Sequence, residues 1–151
     1  MLSKVTTVRT LAVVFCVIES ACADHRIERE FFRQPLESRV ERLRRYSLDD
    51  QYRIFRYGND VVHPPLFDLA TPIAERGAAA IPFLMARLGS EQDDFSVRDI
   101  LRVVSEMTHL KNYDVKADET LIQALSARVD KVKDKEWKAI CMKMLSEIKK
   151  A

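Results

Sequence analysis

Glycine is scarce in this chain. Three occur in 151 residues, at Gly58, Gly77 and Gly89. They lie too far apart for a G-x-G-x-x-G turn, a Walker loop or a G-x-S-x-G elbow, so phosphate-cradling loops and the α/β-hydrolase nucleophile are excluded. Histidine is as sparse: His25, His63 and His109 stand far apart, and neither C-x-x-C nor H-E-x-x-H occurs. The usual zinc spacings are therefore missing. Lysine is missing from a long stretch. None lies between Lys4 and Lys111, whereas thirteen arginines lie between Asp24 and Asn112.

The chain opens with a leader pattern. Lys4 and Arg9 supply positive charge, Leu11 to Ile18 form a short apolar run, and Ala21-Cys22-Ala23 is an A-x-A step before Asp24. Spanning a bilayer takes ~20 apolar residues, and this run falls short of that. The pattern predicts a secretory signal peptide over residues 1–23, cleaved after Ala23. A lipoprotein acylated at Cys22 is the second reading, and an uncleaved anchor the third. A single domain over residues 24–151 remains, in the periplasm or secreted. There Cys141 has no partner thiol, so no disulfide staples the fold. It reads as a small buried hydrophobe inside an apolar stripe, the alternative being a reactive thiol.

The charge balance argues against nucleic acid. The whole chain is formally +2. Nine arginines between residues 24 and 57 are interleaved with seven acids. That mixture reads as a helical surface laced with ion pairs, not a phosphate-tracking stripe. Because arginine suits planar contact with carboxylates, an arginine-rich recognition face is one reading of the bias, and compositional drift the other.

The rest of the pattern is helical. Gln34-Pro35 opens a helix carrying Leu36, Val40 and Leu43 at i, i+4, i+7. Ser47 suits an N-cap before Leu48, Tyr52 and Phe55, with Gly58 as the stop and Asn59 to Pro65 as a loop. Leu66 to Ala74 form a third stripe that Pro72 bends or splits, ending at Gly77. Residues 78–88 make a fourth helix, stopped by Gly89. Ser96-x-x-Asp99 resembles a capping box before Val97, Ile100, Leu101, Val104 and Met107. Asp118 caps a helix with Leu121, Leu125 and Val129. The last stripe is Trp137, Ile140, Cys141, Met144, Leu145 and Ile148. No segment alternates with period 2, so an all-α fold of six or seven helices without a sheet is expected.

Helix pairs recur at a period near forty residues, from Leu84 to Leu125 and from Leu101 to Met142. Residues 73–107 carry Gly77, Ala79, Pro82, Leu84, Leu88, Asp94, Val97, Arg98 and Met107 at the places of a HEAT-type repeat, which they resemble. Residues 121–148 resemble it more weakly, with Trp137-Lys138 where the Val-Arg step belongs. The resemblance implies a short right-handed α-solenoid of antiparallel helix pairs, built as a protein-binding scaffold. It also implies structural roles for Gly77, Pro82, Asp94, Arg98 and Trp137, with Asp94 and Arg98 bonding from one repeat to the next.

The densest aromatic and arginine segment is Tyr52 to Asn59. On a helix, Tyr52 and Phe55 face the core while Arg53, Arg56 and Tyr57 share the other side. Arginine and tyrosine are enriched at interface hot spots, so these three are the candidate partner-binding residues. The plainer reading pairs Asp49 with Arg53 and packs Tyr57 beneath Gly58. His63 is the fourth candidate partner-binding residue, as a pH-sensitive contact, or else a simple loop residue. Glu91, Asp93 and Asp94 fall short of a calcium loop. Phe31 and Phe32 either cap one end of the helices or offer an apolar contact. No catalytic constellation, cofactor or metal site is expected. The sequence thus points to a non-enzymatic scaffold or adaptor that binds another envelope protein. An immunity or inhibitor protein plugging a toxin or hydrolase is the first alternative, and an unrecognised hydrolase the second.

Overall fold

A computed structural model describes residues 25–151 apart from Leu36. The expected signal peptide and cleavage site, with Cys16 and Cys22, lie outside the described residues. Within them the fold is all-helical, and no strand occurs. The α-helices are α1 Arg26–Phe32, α2 Arg39–Leu43, α3 Leu48–Val61, α4 Thr71–Ala74, α5 Ile81–Ser90, α6 Asp94–Leu110, α7 Glu119–Asp130 and α8 Lys135–Lys150. Two 3-10 turns, Phe67–Ala70 and Gly77–Ala80, lead into α4 and α5. The six or seven helices expected are thus eight α-helices among the described residues.

The extra helix is α1, which precedes the expected first one. Seven residues are too few for a 3.6 period to show, and tertiary burial holds it instead. Phe31 is fully buried and meets Phe32 and Tyr46 edge-on, so it belongs to the core and not to a contact surface. The helix expected from Gln34-Pro35 begins only at Arg39. Arg42 donates to the Pro35 carbonyl at 2.7 Å and to Ser38 Oγ at 2.8 Å, which ties α2 back to the residues before it.

Helix caps follow the short polar residues. Ser47 accepts from Asp50 N–H at 3.2 Å and Asp118 from Leu121 N–H at 3.0 Å, as expected. The capping box at Ser96 is replaced. Asp93 is the N-cap and accepts from Ser96 N–H at 2.8 Å, so α6 starts earlier and Asp99 lies buried inside it. Aspartate is as good an N-cap as serine, since its side-chain oxygen accepts from the N–H three residues on.

Two of the three glycines do not stop helices. α3 runs through Gly58 to Val61, taking Asn59 and Asp60 out of the expected loop. Glycine is there for close approach: a Cβ would sit 2.7 Å from Phe32 Cζ. Gly89 lies inside α5. Gly77 alone has a left-handed backbone, φ +54°, at the turn after α4. Pro72 does split its stripe, standing in the first turn of α4 behind the 3-10 turn. Pro82 stands likewise at the start of α5, behind the Gly77–Ala80 turn.

The core gathers around α6, which packs against α4, α5, α7 and α8. Ile100, Leu101, Val104 and Met107 are fully buried in it. α8 is held through Cys141, Leu145 and Ile148. Burying such side chains is worth ~1.5–3 kcal/mol each as an upper figure, well above helix propensity. Burial pushes the Cys141 thiol up to about 11, which suits an inert hydrophobe. Ile140 departs from its expected place and is 44% exposed, since it sits at the outer edge of the α8 stripe.

Candidate functional site: a groove along α3

Tyr52, Ile54 and Phe55 point into the core, which turns Arg53, Arg56 and Tyr57 outward together. All three line one cavity of about 510 Å³, walled by α1, α3 and the end of α5. His63 lies elsewhere, in a second cavity of about 720 Å³ with Phe95, Arg98 and Trp137. Arg56, Asp60 and Asp93 line both, so the cavities adjoin and form one groove.

The arginines do not stand free in it. Arg53 reaches Glu28 at 2.9 Å, and the Glu28 side chain is only 2% exposed. This replaces the expected Asp49–Arg53 pair; Asp49 pairs with Arg87 instead. Arg56 is the hub. Its Nη1 donates to Glu91 Oε2 at 2.8 Å, its Nη2 to Asp93 Oδ1 at 3.2 Å, and its Nε lies 3.4 Å from Asp99 Oδ2. Tyr52 donates its hydroxyl to the same Glu91 oxygen at 3.0 Å. Burial, and then Glu91, push the Tyr52 hydroxyl well above its ordinary value, so it stays a donor. Burial works against charge on Asp93, but Ser96 N–H and Arg56 outweigh it and hold the carboxyl low.

Behind this network lies Asp99, with no exposure. Asn59 Nδ2 donates to its Oδ1 at 3.0 Å and Arg98 Nε at 2.9 Å. Burial nevertheless pushes its pKa up to about 6, because the neighbouring cations only partly offset lost hydration. The Arg98 guanidinium also packs over Phe95 and Trp137, 5.1 and 5.2 Å from the ring centres. Arg98 is therefore a clamp between α6 and α8.

Tyr57 sits against His25 and Phe32, with ring centres 5.2 and 5.8 Å apart. Glu91, Asp93 and Asp94 serve three separate tasks. Glu91 binds Tyr52 and Arg56, Asp93 caps α6, and Asp94 accepts backbone N–H bonds from Lys133 and Asp134. Among the described residues no three His, Cys, Asp or Glu side chains gather as cation ligands. No helix there is long and apolar enough to cross a membrane.

Sequence reasoning missed Glu28, Asn59, Asp60, Arg87 and Asp99. Glu28 lies on the unexpected α1, and Asn59 and Asp60 lie beyond the glycine taken as a stop. Wide spacing hid the other pairings: Glu28 and Arg53 are 25 residues apart, and Arg56 and Asp99 are 43 apart. Compared with protein-family models, curated proteins and solved structures, the chain matches none.

Proposed function

We propose that this is an exported, HEAT-like helical-repeat protein that binds another protein of the cell envelope through the groove along α3. The observation that carries the reading is the convergence of Arg53, Arg56, Tyr57 and His63 on two adjoining cavities. A rigid ion-pair floor with an aromatic wall suits a docking surface, since few side chains must be ordered on binding. The repeat reading is supported by Asp94. Its carboxylate, in the first turn of α6, takes the N–H groups of Lys133 and Asp134 at the entry to α8. That is a bond from one helix pair into the next, as the resemblance implies.

The experiment is affinity capture from envelope extract with wild-type protein and with Tyr57→Ala and His63→Ala. Capture is expected to fall in both variants while the thermal midpoint moves little. Undiminished capture by the double variant would end this assignment of the face. A tight one-to-one complex with a single toxin or hydrolase would turn the adaptor into a dedicated inhibitor.

A further inference from the structure

The arginine bias of the sequence suggests a face for carboxylates. The groove has the opposite character. Each of its four arginines, Arg53, Arg56, Arg87 and Arg98, already faces carboxylates of the same chain. Against these four stand seven acids: Glu28, Asp60, Glu91 and Asp93 in the walls, and Asp49, Asp50 and Asp99 paired to the same arginines. The cluster is net negative within a chain that is formally +2.

Asp60 and Asp93 are both exposed and line both cavities, but Asp93 is bound to Arg56, whereas no ion pair among the described residues uses Asp60. It stands in the last turn of α3, a turn that holds no basic residue. The carbonyl end of a helix carries partial negative charge and favours a cation. Four wall atoms are buried without a hydrogen-bond partner; the donors Arg56 Nε and Arg98 Nη2 lie against Asp99 in ion pairs, which leaves the acceptors Glu28 Oε2 and Asn59 Oδ1. Apolar surface is exposed in both cavities that Asp60 lines: Val61, 52% exposed, in the first and Phe95, 42% exposed, in the second. A long basic side chain meets both demands, with its stem on apolar surface and its head among acceptors.

We propose that the groove receives a lysine or arginine side chain presented by the partner protein, with Asp60 as its counter-ion. This rests on the reading of the groove as a docking surface and gives that surface its chemistry.

The test is an NMR titration of the full-length chain, purified as its host processes it, with three blocked tripeptides: Gly-Arg-Gly, Gly-Glu-Gly and Gly-Leu-Gly. The arginine peptide is expected to shift the amide signals of Asp60, Val61 and Tyr57. Asp60→Asn should weaken that binding roughly three- to fivefold, the size expected of a part-exposed ion pair. Raising salt to about 0.5 M should weaken it in wild type too. Equal or stronger shifts from the glutamate peptide would restore the carboxylate face, and equal shifts from the leucine peptide would make the groove merely apolar. Either result, or no shift at these residues with any peptide, overturns the inference. Partner capture that is lost in Tyr57→Ala but unchanged in Asp60→Lys would also overturn it while leaving the docking surface in place.

Discussion

Arg56 places its Nε 3.4 Å from Asp99 Oδ2, so a residue on the groove wall neutralises an acid wholly inside the core. The same guanidinium binds Glu91 and Asp93 outside. Groove wall and core are therefore one piece here. Arg56→Glu should destabilise by about 3 kcal/mol or more, because it sets a fourth negative charge against three acids that have lost their partner. Urea unfolding would measure it. A variant as stable as wild type would show that Asn59 and Arg98 suffice for Asp99. Charge reversal of Arg53 faces the same objection through buried Glu28, which is why Tyr57 and His63 are the better probes of binding.

Asp99 also sets a pH dependence. Its native pKa of about 6 lies above the ordinary 3.8. The native state then holds a proton that the unfolded chain has already released, so stability falls as pH rises through that window. Stability should increase from pH 7 down to about 5, and Asp99→Asn should flatten the increase. Asp93, Glu75 and Asp118 act the other way. Their depressed pKa values contribute stability above the ordinary carboxylate range, and it is lost in stronger acid. Denaturant midpoints across pH 3 to 8 would test both limbs. A flat curve between pH 5 and 7 would contradict the role given to Asp99.

The glycines should respond to alanine in different ways. At Gly89 nothing lies within 4 Å of an added Cβ, so Gly89→Ala should gain roughly 0.5–1 kcal/mol from helix propensity. At Gly77 the left-handed φ of +54° and the Asn112 carbonyl 3.0 Å away make alanine costly, by about 1–2 kcal/mol. At Gly58 the Phe32 ring must move aside, which offsets the propensity gain and loosens α1. Thermal midpoints of the three variants would rank them, with Gly89→Ala highest. Faster hydrogen exchange confined to α1 is the mark expected of Gly58→Ala.

Asp94 is a backbone cap for a segment 39 and 40 residues away. Asp94→Ala should cost ~1–2 kcal/mol, in the range of a lost cap. Asp94→Asn keeps an acceptor oxygen and should cost less. Equal losses in chemical denaturation would point to charge, not hydrogen bonding, as the source of the effect.

The sequence by itself determined the helical class, because apolar residues recurring every third or fourth position have one arrangement that buries them together. It located the helices from α3 onward, the caps at Ser47 and Asp118, and the split at Pro72, all of which rest on neighbours within four residues. It also put Arg53, Arg56 and Tyr57 on one side of a helix. Only the tertiary structure decided what that side means. Whether Gly58 stops a helix or admits a ring depends on Phe32, which reaches it from α1. Whether an arginine awaits a partner depends on acids 25 to 43 residues away: Glu28 for Arg53, and Glu91, Asp93 and Asp99 for Arg56. A charge pattern read along the chain shows what is nearby in sequence, whereas ion pairing is set by distance in space. The arginines that look like a recognition face are paired within the fold, and the groove acid without an ion pair among the described residues is Asp60.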